Sequence, residues 1–249
     1  MTAFPEVSVV LPAKDEVACI VAVLRDIASA LSGISHEIVV VDDGSSDGTG
    51  DAVLALRSEM PQLRLIRHAK ACGQSAALRS GVQAAVGRII ATLDADGQNP
   101  PSNLPRLLAP FLAPDADPAL GIVQGQRLKR QDTWSKKIGS KIANRIRGAL
   151  LQDGVRDSGC GMKAFPRKAY LNLAYFDHLH RFMPAMIKRE GLRVQVMDVT
   201  HSERTAGVSK YNNLQRALVG IVDLLGVAWL MRRRKVPQVT EITPDPRAG

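Results

Sequence analysis

Apolar residues along this chain fall into two alternating rhythms. Compact runs rich in Val, Ile and Leu occupy residues 7–11, 37–41, 63–66, 89–93, 120–126 and 193–199, each of strand length. Between them the apolar positions recur at helical spacing: Ile20, Val23, Leu24 and Ile27 on one face, then Val53, Leu54 and Leu56 as core candidates, then an alanine-rich stretch over 74–86. Pro100, Pro101 and Pro105 bracket a short helix, 157–165 reads as a glycine-containing loop, and 181–189 as a further helix. This alternation predicts an α/β fold, a mostly parallel sheet with helices on both faces.

Two stretches depart from that rhythm. Residues 134–151 form a basic amphipathic helix, with Ile138, Ile142, Ile146 and Leu150 spaced by four and Lys137, Lys141, Arg145 and Arg147 elsewhere around it. Such a helix is either a core stripe with a solvated cationic face or one that lies on a membrane surface. Residues 217–231 carry a single charge, Asp223, and run into Arg232-Arg233-Arg234-Lys235. At helical rise they cover roughly 22 Å, short of the ~30 Å hydrocarbon core, and a buried Asp223 would be costly there. A helix in the membrane interface or against a partner is the expectation, with the basic run near anionic lipid; an ordinary core helix is the competing one.

In parallel sheets ligands bind beyond the carboxyl ends of the strands. Residues 12–16, 42–47 and 94–98 each follow a predicted strand and so fall on that one edge. The last holds Asp94-Ala95-Asp96, and at strand spacing the two carboxylates point the same way. Two carboxylates with room for phosphate oxygens hold a hard cation, Mg²⁺ or Mn²⁺, beside a nucleotide. Taken alone, Asp-x-Asp reads more often as an acidic turn. The two polar loops on the same edge favour the site.

Composition narrows the choice of partner. A formal charge of +9 over 249 residues calls for an anion: nucleic acid, lipid headgroups or a phosphorylated substrate. Only 4% of residues are aromatic, which argues against a base-stacking surface, and no nucleic-acid recognition motif is present. Cys19, Cys72 and Cys160 lack metal-ligand spacing and read as free thiols, and residues 1–10 show no secretory pattern. The first strand–helix turn, Pro12-Ala13-Lys14-Asp15-Glu16, has none of the glycines of a dinucleotide fingerprint. A P-loop and a Gly-x-Ser-x-Gly elbow are missing too. A nucleotide site built from carboxylates and a divalent cation is what remains.

The residues then carry a family likeness. The segments 9–16, 40–49 and 93–98 resemble family 2 glycosyltransferases of the Rossmann-like GT-A fold. Gly125-Gln126-Arg127, the run 157–165 and the run 201–211 are similar to the dolichol-phosphate mannose synthase branch, which includes enzymes acting on undecaprenyl phosphate. The resemblance implies that Pro12, Ala13 and Glu16, with Asp43, contact the base and ribose of a GDP- or UDP-sugar. It implies that Asp94 and Asp96, with Gln98, hold the metal and donor diphosphate, and that Arg204 and Lys210 close over the phosphates around Ser209. Arg127, Lys136 and Ser140 align with the acceptor-phosphate residues of the branch. Lys136 stands where arginine is usual, a point charge in place of a bidentate fork. His201 lies in one of the motifs, either near the diphosphate and metal or simply packed. Asp157 is the nominal catalytic base or, equally, a residue that orients Lys163 and Arg127, because a phosphate acceptor is largely ionised already.

The expectation is therefore inverting sugar transfer to a polyprenyl phosphate at the cytoplasmic face of the membrane. A catalytic domain would span 1–211, an interface helix 212–236 and a tail 237–249. Nucleic acid is not expected as a partner; an anionic membrane surface is, and a small membrane partner or a second copy of the chain stays open. A family 2 enzyme with a sugar or polysaccharide acceptor, and a non-catalytic membrane-bound nucleotide-sugar scaffold, are the alternatives.

Overall fold

The computed structural model describes residues 4–127, 147–202, 213–235 and 240. Its frame is a seven-stranded sheet ordered β3-β2-β1-β4-β6-β5-β7. The strands are β1 (Val7–Ala13), β2 (His36–Asp42), β3 (Leu63–Arg67), β4 (Ile89–Thr92), β5 (Leu120–Arg127), β6 (Lys163–Pro166) and β7 (Arg193–Val199). The intervening helices are α1 (Val17–Ala30), α2 (Thr49–Ala55), α3 (Gln74–Ala84), α4 (Leu104–Leu112), α5 (described over 147–151), α6 (Arg167–Leu171), α7 (Leu179–Arg189) and α8 (Asn213–Arg232). Pairing is parallel throughout except around β6, which runs antiparallel to β4 and β5.

The continuous apolar runs follow from this architecture, since a sheet covered on both faces leaves no side for polar residues. Val9 and Leu11 of β1 face a core with Ile20, Leu24 and Ile27 of α1 and Leu107 of α4, and Val10 faces a second core with Val82 of α3 and Met183 and Met186 of α7. Gly81 lets α3 sit close on the sheet: a Cβ there would lie 2.4 Å from Val10 Cγ1.

Three sequence expectations need correction. Residues 163–165, read as the end of a loop, belong to β6, so the sheet is mixed. Four residues beginning with lysine and ending in proline give too little apolar pattern to announce a strand. Leu54 was expected in the core but is 47% exposed, because α2 is short and its period turns Val53 and Leu56 inward. At α5 the expected stripe is inverted: Leu150 faces out, while Leu151 is buried and the Arg147 guanidinium is buried against the Asp153 carboxylate. Residues 134–146 of that predicted helix lie outside those described.

α8 packs along α7 through Val227 and Ala228, with Leu224 and Met231 alongside. Asp223, the one acid in this apolar segment, meets His178 Nδ1 at 2.8 Å. No helix among the described residues is long and apolar enough to cross a membrane.

At the end of the sheet away from the acidic loops, Glu37 is buried and links three segments. Its carboxylate accepts hydrogen bonds from Ser8 Oγ (2.6 Å), the Val86 amide (2.7 Å) and Arg64 (2.7 Å). Burial pushes this carboxyl up, but the Ser8, Val86 and Arg64 contacts outweigh it and hold it below its ordinary value. The stabilisation is therefore present above the unfolded value of 4.5 and is lost as pH falls through the lower folded value. Glu37→Ala is expected to cost about 2–3 kcal/mol in denaturant unfolding at pH 7, with the difference shrinking toward pH 3.

Candidate active site

The carboxyl-edge loops are tied to one another before any ligand is considered. Asp15 sits at φ 54°, and its carboxylate accepts the Ser46 amide (2.9 Å) while its own amide donates to Ser45 Oγ (3.0 Å). The amide of Glu16 donates to Thr49 Oγ1 (2.9 Å), and Asp47 accepts the Val17 amide (3.0 Å), capping α1 from the neighbouring loop. Pro12 and Ala13 end β1 directly beneath, and Ala13 O accepts the Asp43 amide (2.8 Å).

Asp43 is buried and strongly engaged. Oδ1 takes the Cys72 amide (2.8 Å) and His68 Nδ1 (2.7 Å), and Oδ2 takes the Gly73 amide (2.8 Å). Burial opposes its ionisation, yet these contacts win and hold it below the usual carboxylate range. Asp43, His68 and Cys72 are the one group of three metal-capable side chains clustered among the described residues. Both His68 nitrogens are already engaged, by Asp43 and by Ser80 Oγ (3.0 Å), so the cluster reads as a brace for the 68–73 loop. About one of a carboxylate's four lone-pair sites is left on Asp43 for a ligand.

β4 stops at Thr92, so Asp94 and Asp96 stand on the turn beyond the strand, not on the strand as its predicted end at residue 93 implied. Asp94 accepts Gln74 Nε2 (2.9 Å) on one oxygen and Asn99 Nδ2 (3.0 Å) on the other, and it lines a cavity of about 420 Å³. Asp96 and Gln98 lie outside that lining, and the Gln98 amide donates to Asp96 Oδ1 (3.1 Å). Burial and then the Asp96 charge push the Asp94 carboxyl up. Two acids so close require a positive partner.

Across from them, β5 ends in Arg127 and the 157–163 loop leads into β6. Arg127 and Asp157 form a bidentate pair, Nε to Oδ2 at 2.6 Å and Nη2 to Oδ1 at 2.8 Å. Lys163, the first residue of β6, is buried with its ammonium donating to the Cys160 carbonyl. Burial pulls that ammonium down, against the Cys160, Asp94 and Asp157 charges. His201 follows β7 at the same edge. Burial and the Arg127 charge lower its imidazole against Asp96 and Asp157, and its Nδ1 is buried without a hydrogen-bond partner. Arg204, Lys210 and Ser209, Lys136 and Ser140 lie outside the described residues.

Acids, cations and histidine thus converge from four strand ends and share one face of the sheet edge. Gln74, His180 and Arg181 line the cavity beside Lys163, although the sequence reading assigned these three no contact. Only the placement of the α3 and α7 starts around that cavity reveals them.

Comparison with known proteins fits this constellation. The family description "Glycosyl transferase family 2" matches residues 8–173, and the chain belongs to that family. It is 32% identical over 238 residues to the dodecaprenyl-phosphate galacturonate synthase of Rhizobium johnstonii, across 93% of this chain and 69% of the relative. Among solved structures it is similar to glucosyl-3-phosphoglycerate synthase from Mycobacterium tuberculosis in complex with Mn²⁺, UDP and glucosyl-3-phosphoglycerate, with a TM-score of 0.67, 20% identity, and coverage of 91% of this chain and 80% of that one. A mannosyltransferase from Pyrobaculum calidifontis in complex with GDP-Man and Mn²⁺ matches with a TM-score of 0.64 and 24% identity, covering 95% and 67%. These likenesses establish the GT-A architecture of the sheet.

Proposed function

We propose that the protein transfers a sugar from a nucleotide-sugar donor to a polyprenyl phosphate, with inversion, at the cytoplasmic face of a membrane. The observation that carries this choice of acceptor is the bidentate grip of Asp157 on Arg127. A hydroxyl acceptor needs a base able to take its proton, whereas a phosphate monoester with a second pKa near 6 arrives ionised. Asp157 held in this way is an orienting residue for Arg127. The relative's name, dodecaprenyl-phosphate galacturonate synthase, supports a lipid-phosphate acceptor.

Asp96, Asp94 and Gln98 would hold Mg²⁺ or Mn²⁺. The hard oxygen donors, the mutually strained acids and the orphaned Nδ1 of His201 all fit a cation there. Such an ion supplies charge neutralisation to the donor diphosphate. Pro12, Ala13, Glu16 and Asp43 form the nucleoside side. Arg204 and Lys210, with Ser209, close over the phosphates. Arg127, Lys136 and Ser140 take the lipid phosphate. Its oxygen forms the new bond to the anomeric carbon as the bond from that carbon to the diphosphate oxygen breaks, on the opposite face. Positioning and charge stabilisation supply most of the acceleration.

The catalytic unit spans 1–211 and is followed by the interface helix 212–236 and the tail 237–249. Ile221, Val222, Leu225 and Trp229 of α8 are 56–69% exposed, and Arg232 to Lys235 follow at once. An apolar face beside a cationic run suits shallow seating on anionic lipid.

One preparation tests the whole reading: purified protein with Mg²⁺ or Mn²⁺, undecaprenyl phosphate in anionic vesicles, and a panel of UDP- and GDP-sugars, read by mass spectrometry. A glycosylated lipid phosphate with stoichiometric nucleoside diphosphate is expected, and the protein should sediment with the vesicles. Transfer to a free sugar or glycan but never to the lipid would overturn the acceptor assignment. Binding of donors without any turnover would make the chain a nucleotide-sugar scaffold.

A further inference from the structure

Asp223 is the one acid in α8, and the transfer reaction gives it no task. An aliphatic residue would bury at lower cost against α7. The acid is half-buried and meets the imidazole of His178, with Nδ1 donating to Oδ2 at 2.8 Å. His178 stands immediately before α7 at φ 64°, a left-handed conformation that glycine adopts more readily. It is held there from three sides. Its amide donates to Asp177 Oδ1 (2.8 Å), its carbonyl accepts the Arg181 amide (2.9 Å), and its ring reaches α8. A histidine kept in a glycine's conformation implies that the ring is what is needed there.

From that turn a chain of contacts runs to the acids of the candidate site. His180, two residues on, has Nδ1 2.7 Å from Ser75 Oγ, and its amide donates to the same hydroxyl oxygen (3.3 Å). Ser75 is buried in the first turn of α3. Just before it, the Gly73 amide donates to Asp43 Oδ2 (2.8 Å) and Gln74 Nε2 to Asp94 Oδ1 (2.9 Å). The start of α3 thus carries donors to both acids, the start of α7 fixes it, and α8 fixes the start of α7. Close-packed elements move as units, so a displacement of α8 is felt at Asp43 and Asp94.

The outer face of α8 says what fixes the helix itself. Ile221, Val222, Leu225 and Trp229 are exposed there, and Arg232, Arg233 and Lys235 follow, exposed as well. An apolar face with a cationic end matches an anionic lipid surface. Asp223 lies between Val222 and Leu225 in sequence yet turns inward to α7. A helix seated by its outer face therefore presents its acid to His178 in one setting.

We propose that His178 and Asp223 are positioning residues that couple the seating of α8 on anionic lipid to the setting of Asp43 and Asp94, so that lipid and nucleotide each tighten the binding of the other. This rests on the transferase reading above.

The test is made at equilibrium. UDP and GDP are titrated with Mn²⁺ into the full chain by calorimetry, with and without vesicles of phosphatidylglycerol and phosphatidylcholine. Vesicle affinity is measured with and without the nucleotide. Vesicles are expected to tighten the nucleotide about 10-fold, and reciprocity requires the nucleotide to tighten the vesicles by the same factor. Asp223→Leu keeps α8 apolar, so it should bind vesicles at least as well as the wild type. Its nucleotide affinity should equal that of the vesicle-free wild type, with the coupling reduced to within about 2-fold. His178→Gly relieves the backbone and should lose the coupling in the same way; it carries the test if Asp223→Leu does not fold. Asp223→Asn keeps an acceptor for Nδ1 and should retain most of the effect.

Three results would overturn the proposal. One is wild-type nucleotide affinity that vesicles leave unchanged. Another is coupling that persists in Asp223→Leu and His178→Gly. The third is weaker nucleotide binding in both media with a lowered melting temperature, the mark of a structural role. Sugar transfer to undecaprenyl phosphate by the same preparation, without coupling, leaves the transferase standing and removes only the link. Coupled binding without transfer keeps the link and removes the catalysis. Nucleotide that binds in neither medium removes both.

Discussion

Asp96→Asn is expected to lower sugar transfer by about 1000-fold or more without changing the melting temperature. The magnitude is that of losing a charged group aimed at the developing charge of a leaving group. The geometry singles out Asp96 over Asp94. Asp94 has hydrogen bonds from side chains on both oxygens, from Gln74 and from Asn99, whereas Asp96 accepts the Gln98 amide at Oδ1 and keeps more lone pairs for a cation. Asn conserves shape and removes the charge, so the fold should be indifferent. Mn²⁺ binding, followed by electron paramagnetic resonance, should weaken in parallel with activity, and a chelator should reduce the wild type to the same level. Turnover at the wild-type rate in the variant or in chelator would dismiss the metal assignment.

Gly161→Ala should produce nearly as large a loss by a purely steric route. A Cβ at that position would lie 2.2 Å from Asp94 Oδ2 and 2.5 Å from its Cγ. Both atoms belong to the end of a short side chain, which can rotate away, so the cost in stability should stay below about 1 kcal/mol. The cost in function should not. Asp94 would leave the hydrogen bonds of Gln74 and Asn99 and withdraw from the cavity wall, and misplacement by about 1 Å at a reacting centre lowers rates on the order of 100-fold. Steady-state kinetics with a melting curve on the same sample checks both halves. A large drop in melting temperature, or unchanged kcat, would contradict the geometry.

Much of the fold was legible because buried parallel strands must be apolar on both faces. The runs over β1, β2 and β4 could be little else, and the polar loops after them had one edge to occupy. The acidic loops were legible for the same reason. His180 and Arg181 were not. They reach the cavity from the start of α7, which is near in space but not in sequence. Asp157 shows the complementary limit. Its motif marks it as important, but whether it abstracts a proton or holds an arginine depends on two distances that no sequence spacing contains. The orientation of α5 failed for a third reason: a buried Arg147–Asp153 pair looks, in sequence, like solvated charge.

The antiparallel entry of β6 between β4 and β5 has an architectural corollary. The chain leaves the sheet after Arg127 and rejoins it at Lys163 on the adjacent strand, at the same edge, with Gln124 paired to Lys163. Both ends of the excursion are anchored about one strand spacing, ~4.8 Å, apart. The later part of the excursion is tied into the fold: Leu151 is buried in one core, Cys160 and Met162 in the other, and Arg147 pairs with Asp153. On the reading proposed above, the nucleotide would meet the loops after β1, β2 and β4, and the acceptor would meet an insertion between β5 and β6 that the sheet closes from both sides.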